Sequence, residues 1–222
     1  WSGKSRDSSL GYLDEESGQI YACSWFEPDK RRIQVKYLLE GRRFLCESGN
    51  SFFHIEWESL LLNEHRIMLH AACVNTEVGG ILFSGASGAG KSTQAELWRR
   101  YEMARIINGD RTILGKRDSA WTAYGSPYAG SSRCYVNEGC RVRAIVFVRK
   151  AQQCSIRRLE KKEAFRKIYR NLTVNSWDIS FVNCVCDLTM EMISEIPVYE
   201  MECTREKQAV ITLRRELERR DG

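Results

Sequence analysis

The run Gly85-Ala86-Ser87-Gly88-Ala89-Gly90-Lys91-Ser92-Thr93 matches the phosphate-binding spacing G-x-x-x-x-G-K-[ST] at every fixed position. Glycines let successive backbone N–H groups turn toward phosphate oxygens. A lysine at position 91 reaches the β- and γ-phosphates, and the Ser92 hydroxyl is a ligand for Mg²⁺. An unrelated glycine turn is the plain alternative, and it lacks the flanks found here. The apolar run Ile81-Leu82-Phe83 leads into the loop, and Lys91 to Tyr101 reads as a helix packing Leu97 and Trp98. The motif therefore predicts a site for a nucleoside triphosphate, with ATP and Mg²⁺ as the expected ligands.

Two further residues have chemistry that fits this loop. Ala104-Arg105-Ile106-Ile107 reads as a short strand that ends at Asn108-Gly109-Asp110. A carboxylate closing an apolar strand is where a metal-binding and proton-accepting aspartate belongs, so Asp110 is the candidate; the alternative is an exposed turn residue. Arg66 to Val74 and Ile81 to Ser84 read as strands around a turn at Asn75 to Gly80, so the loop is expected to end an antiparallel hairpin and not a βαβ unit. Residues whose numbers sum to about 155 then face each other, which sets His70 opposite Gly85 at the loop mouth. His70 reads either as a general acid or base beside the phosphates or as a histidine satisfied in the interior.

Downstream, Gly125-Ser126-Pro127-Tyr128-Ala129-Gly130-Ser131-Ser132-Arg133 is a glycine- and serine-rich loop after a short strand, Trp121 to Tyr124. It is a candidate lid or substrate loop, which makes Tyr124, Ser126, Tyr128 and Arg133 candidate substrate contacts. For Arg133 the favoured reading is an ordinary surface arginine, with pairing to phosphate or an acidic substrate as the alternative.

The elements that must hold these residues follow from pattern. Residues 1–64 read as a small extended region plus a helix, packed on the core: Gln19 to Trp25, then Ile33, Val35, Tyr37 and Leu39, a turn at Gly41, Phe44-Leu45-Cys46, and a helix over Ser51 to Glu64. Residues 65–222 read as the nucleotide-binding domain. Its later elements are an apolar strand Ala144 to Val148, a basic helix Lys161 to Arg170, and a helix from Trp177 capped by Ser176. A strand Val198 to Cys203 and an amphipathic helix through Val210, Leu213 and Leu217 close it.

Of 222 residues, 43% are hydrophobic and 28% charged, enough to bury a substantial core. The net charge of +5 is spread along the chain, which gives little reason to expect a nucleic-acid partner. Nine cysteines, an odd number without C-x-x-C spacing, suit free thiols in a reducing cytoplasm. No apolar run nears the ~20 residues that cross a bilayer, and Trp1-Ser2-Gly3-Lys4-Ser5-Arg6 lacks a signal-peptide plan.

Three pieces in order carry a family resemblance: Leu69-His70-Ala71-Ala72, the phosphate loop, and Asn108-Gly109-Asp110 followed by Tyr124 to Gly130. Over Leu69 to Gly130 the chain resembles the kinase domain of HPr kinase/phosphorylase and its compact relatives. The resemblance implies an α/β fold: a mixed sheet with a P-loop hairpin, like the HPr kinase C-terminal domain and the phosphoenolpyruvate carboxykinase nucleotide-binding core, flanked by helices. It implies ATP on Gly85 to Thr93, metal on Ser92 and Asp110, proton transfer by Asp110 with His70 assisting, and homo-oligomeric assembly. The chain departs from the family where Gly109-Asp110 replaces paired aspartates and where the glycine-rich signature linked to phosphorolysis is missing. The expectation is an ATP-dependent phosphotransferase acting on a hydroxyl of a peptide, protein or small molecule. A non-catalytic nucleotide sensor or assembly module is the alternative.

Overall fold

The computed structural model describes residues 9–13, 17–26, 32–39 and 56–219, and it divides into two compact units, Trp1–Glu64 and His65–Gly222. In the first unit β1 (Ser9–Leu13), β2 (Ile20–Phe26) and β3 (Ile33–Tyr37) form an antiparallel three-stranded sheet. Ile33, Val35 and Tyr37 are half-buried with exposed residues between them, the alternation of a one-sided strand. Helix α1 (Trp57–Asn63) follows, and the Ser24 hydroxyl donates to Glu56 Oε1 at 2.7 Å just before it. The expected turn at Gly41, the run Phe44 to Cys46 and the first part of the Ser51 to Glu64 helix lie outside the described residues.

The second unit is a mixed sheet with helices. Its elements are β4 (Arg66–Thr76), β5 (Gly79–Ser84), α2 (Lys91–Glu102), β6 (Arg105–Asn108), β7 (Arg111–Arg117), β8 (Ala120–Tyr124), β9 (Gly139–Lys150), β10 (Ser155–Arg158), α3 (Lys161–Tyr169), α4 (Ile179–Glu195), β11 (Val198–Cys203) and α5 (Lys207–Glu218). Strands run in the order β10-β11-β9-β5-β4-β7-β8, with β6 on β4. A pairing of β8 with β9 closes β4, β5, β9, β8 and β7 into one circuit. β5 and β11 lie parallel to β9; the remaining pairs are antiparallel.

The β4–β5 hairpin has the expected register. Ala71 faces Ser84 and Thr76 faces Gly79, so paired numbers sum to 155. β5 is thus antiparallel to β4 and parallel to β9, and it delivers the chain directly into the phosphate loop. Ala72, Val74, Ile81 and Phe83 from the hairpin pack on Leu97 and Trp98 of α2 and on Val210, Leu213 and Leu217 of α5. Each large apolar side chain buried there contributes about 1.5–3 kcal/mol, which anchors α2 against the sheet.

Helix α4 starts later than its sequence suggests. The N-cap is Asp178, not Ser176: its Oδ1 accepts from the N–H groups of Ser180 and Phe181 at 2.9 and 3.1 Å. A turn closed by Asp178 N–H to the Asn175 carbonyl absorbs Ser176 and Trp177 before the helix can begin. No helix among the described residues is long and apolar enough to cross a membrane.

Candidate functional site

The phosphate loop bridges β5 and α2. Gly85, Gly88 and Gly90 have φ of 139°, 73° and 107°, backbone that side chains other than glycine resist. At Gly85 space is also short, since a Cβ would lie 3.0 Å from the Val148 carbonyl oxygen. Lys91 opens α2 and is buried; its Nζ donates to the carbonyls of Gly85 and Ala86 at 3.1 and 3.2 Å, folding the loop around its own ammonium. Burial pushes its pKa down, the Asp110 carboxylate pulls it up, and the Arg111 charge adds to the depression. Ala86, Ser87, Gly88 and Ser92 are exposed, and Ala89, Gly90 and Thr93 are half-buried.

His70 sits one residue beyond the last bonded pair of the hairpin, opposite the start of the loop. Its position is fixed from both sides. Its N–H donates to the Asn171 carbonyl at 2.8 Å, its carbonyl accepts from the Ser84 hydroxyl at 2.9 Å, and its cross-strand partner on β7 is Arg111. The ring Nε2 lies 3.0 Å from Asp110 Oδ1, with the side chains 29% and 30% exposed. That partial exposure leaves the pair open to a ligand.

Asp110 lies in the tight connection between β6 and β7. Asn108 is fully buried and holds the turn: its Oδ1 accepts from the Asp110 N–H at 2.9 Å, and its Nδ2 donates to the Ser126 carbonyl at 2.9 Å. The hydrogen bond from His70 holds the Asp110 pKa below the ordinary carboxylate value; the charges of His70, Arg111 and Lys91 act in the same direction, and burial opposes them. Gly130, at φ 56°, gives Asp110 its room, since a Cβ there would stand 2.9 Å from Asp110 Cβ and 3.1 Å from Oδ2.

The glycine- and serine-rich loop is tied down. The buried Ser126 hydroxyl donates to the Arg111 carbonyl at 2.5 Å, and the Tyr128 carbonyl accepts from the Arg111 N–H at 3.3 Å. Gly109 N–H donates to the Cys134 carbonyl at 2.9 Å, and a Cβ at Gly109 would overlap Ser132 Oγ at 1.8 Å. The loop is therefore a strap across Asn108 to Arg111 and not a free lid. Of the candidate substrate contacts, Ser126 spends its hydroxyl on that strap. Tyr124 lies on β8 with the Arg66 guanidinium 5.1 Å from its ring centroid, Tyr128 is half-buried, and Arg133 is exposed in a left-handed conformation at φ 53°.

Arg111 and Thr173 are absent from the sequence reading. Arg111 is half-buried and its Nη1 donates to Thr173 Oγ1 at 2.7 Å. Adjacency to Asp110 was the only available signal. Thr173 enters because β5 leaves the side of β4 at Ser84 and the segment after α3 replaces it. Leu172 bridges Leu69, and the Thr173 N–H donates to the Met68 carbonyl at 3.0 Å.

The donor set suits a hard cation held mainly by a substrate. Among the described residues no group of three or more His, Cys, Asp or Glu side chains is placed to hold a metal alone. One carboxylate and one hydroxyl, Asp110 with Oδ2 beside the glycine-made space and the exposed Ser92, match the sparse protein ligation of Mg²⁺ that also binds phosphate oxygens and water.

No family model and no curated protein matches this sequence. Among solved structures the chain is similar to the HPr(Ser) kinase/phosphatase from Coxiella burnetii, at 12% identity and a TM-score of 0.40, over 69% of this chain and 94% of that one.

Proposed function

We propose that this chain is an ATP-dependent, Mg²⁺-requiring phosphotransferase that moves the γ-phosphoryl group to a hydroxyl, serine-like, on a peptide, protein or small molecule. The observation that carries the reading is the His70–Asp110 contact of 3.0 Å, next to a loop whose lysine is buried and charge-coupled to that same aspartate. Loop amides and Lys91 bind and orient the phosphates. Ser92 and Asp110 hold Mg²⁺, which supplies charge neutralisation of the phosphate oxygens when bound. Asp110 Oδ2 accepts the proton of the incoming hydroxyl, while His70, donating to Oδ1, keeps the carboxylate ionised and aimed. Catalysis of this type comes from positioning and charge stabilisation.

A second reading has one observation in its favour. Gly109 has no room for a side chain beside Ser132, so a single carboxylate serves the turn where HPr kinases commonly carry two. A nucleotide-binding sensor or assembly module needs no more than that.

Incubation with γ-labelled ATP, Mg²⁺ and a panel of free serine, serine peptides and HPr-like proteins separates the two. Transfer of label to an acceptor, lost in Asp110→Asn while nucleotide affinity stays within a few fold, supports the phosphotransferase. Binding without labelled product supports the sensor, and undiminished transfer in Asp110→Asn removes Asp110 from the chemistry.

A further inference from the structure

Arg111 adjoins Asp110 in the chain, and the phosphotransferase reading gives it no task. Its position is tightly specified. Arg111 and His70 are direct cross-strand partners, so their side chains leave the sheet on the same face. Thr173 lies on the other flank of β4, bonded to Met68. To reach Thr173 Oγ1 at 2.7 Å, the Arg111 side chain must cross over β4 on the His70 face, at the point where β5 turns away into the phosphate loop. Its backbone is pinned at both polar groups by Ser126 and Tyr128, so the crossing is reproducible.

The electrostatics of this placement are unbalanced. The Arg111 charge acts on Lys91 and on Asp110, so all three groups share one small region. Two cations there share a single carboxylate, and that carboxylate is already engaged by His70. Arg111 makes no ion pair among the described residues; its side chain donates to a neutral hydroxyl, which leaves most of a five-donor fork uncommitted. A half-buried guanidinium within electrostatic reach of a buried ammonium is unfavourable until an anion sits between them. Guanidinium geometry suits a phosphoryl group in particular, because two parallel N–H groups meet two oxygens.

We propose that Arg111 is the second cation of the phosphate site and binds the γ-phosphoryl group of the triphosphate, with Thr173 positioning its guanidinium. The proposal rests on the phosphotransferase reading only in needing a nucleotide in the loop. It makes the site selective for tri- over diphosphate, since ADP has no group to place between Arg111 and Lys91.

Calorimetric titration of Mg·ADP and of the Mg complex of the non-hydrolysable β,γ-imido analogue of ATP tests this on the wild-type chain, Arg111→Ala, Arg111→Lys and Thr173→Val. The loss of a charge-assisted bidentate contact predicts that Arg111→Ala weakens the imido analogue by about ten- to a hundredfold. ADP should weaken by less than about threefold. Arg111→Lys keeps the charge without the fork and falls between. Thr173→Val keeps the guanidinium but frees it, and weakens the analogue by about two- to fivefold with ADP unchanged. Equal losses for both nucleotides, or none, overturn the proposal. If Arg111→Ala does not fold, the lysine and valine variants decide by the same ratio. Wild-type protein that binds neither nucleotide overturns the phosphotransferase reading and this inference together; wild-type binding with an unchanged ratio in the variants overturns this inference alone.

Discussion

On the Gly85 to Gly90 side of the candidate site the groups presented are backbone amides on left-handed glycines, whereas on the Asp110 side they are side chains on a clamped turn. The loop from Gly85 to Gly90 is largely exposed and is closed by Lys91 against its own carbonyls. Asn108 to Arg111 is bound by the strap from Gly125 to Arg133 and by Cys134, in a space so tight that Gly109 and Gly125 tolerate no Cβ. The contrast has a chemical reason. Phosphate oxygens are numerous and can be met by any ring of N–H groups, while a proton acceptor works only if one carboxylate oxygen is held in one place. Under the proposed function an open loop suffices for the first half, and the second needs a rigid base.

The sharpest way to break this comparison is to remove chemistry from one half without touching the other. Asp110→Asn keeps the shape of the turn and the Asn108 bond to its N–H, but it removes the proton acceptor of the proposed reaction. Turnover with γ-labelled ATP should fall by about 10²–10⁴-fold, the range for loss of a positioned general base. Nucleotide affinity measured by calorimetry should change far less, because the loop amides and Lys91 remain.

The next test places the same methyl group in each half. In Gly125→Ala the added Cβ would lie 1.9 Å from the Val136 carbonyl oxygen and 2.9 Å from that of Ile107, both backbone atoms. The Val136 N–H to Ile107 carbonyl bond of 3.0 Å must then open, so the variant should lose about 3 kcal/mol, roughly 6–12 °C in Tm. Gly88→Ala has open space around it and only its φ of 73° to resist the side chain. That costs about 1–2 kcal/mol, with most of the damage appearing as weaker nucleotide binding. Thermal melts of the two variants that do not differ would contradict the rigid-strap description.

These contrasts also mark what sequence could and could not show. The hairpin was legible, down to a register that sets His70 opposite Gly85, because strand pairing around a short turn is local and fixed by alternation. Strand β11 matches the expected Val198 to Cys203 for a related reason, a short segment in which Glu200 and Glu202 alternate with buried apolar residues between two helices. The cap of α4 was missed because Ser176 and Asp178 are both good caps, and the turn at Asn175 decides between them. The strap and the pairing of β8 with β9 were not legible, since they depend on backbone groups meeting across long separations. Arg111 was overlooked for the same reason. Its task depends on which strand lies beside β7 and on Thr173 filling the flank that β5 vacates.

The smallest expected effect is a reversal of the usual cost of mutating a buried side chain. Burial lowers the Lys91 pKa in the folded chain relative to the unfolded one, so the unfolded state holds its proton more tightly. Below the folded value both states are protonated and the buried charge costs stability. As pH rises from there toward the ordinary lysine value of 10.5, the unfolded chain binds more protons and the cost is relieved. Lys91→Met fills similar volume without the charge. At pH 7 the nucleotide-free variant should melt slightly above wild type, and the difference should shrink at alkaline pH. Asp110 bears the opposite sign: its depressed pKa stabilises the fold above the ordinary carboxylate value of 3.8, and that contribution is lost as pH falls through the lower folded value. Adding Mg·ATP should raise the wild-type Tm and raise that of Lys91→Met by less, because the loop amides remain but the ammonium is gone. A destabilised nucleotide-free Lys91→Met would mean that the ammonium's bonds to Gly85 and Ala86 outweigh its desolvation, and the loop would then be held by its lysine and not merely closed by it.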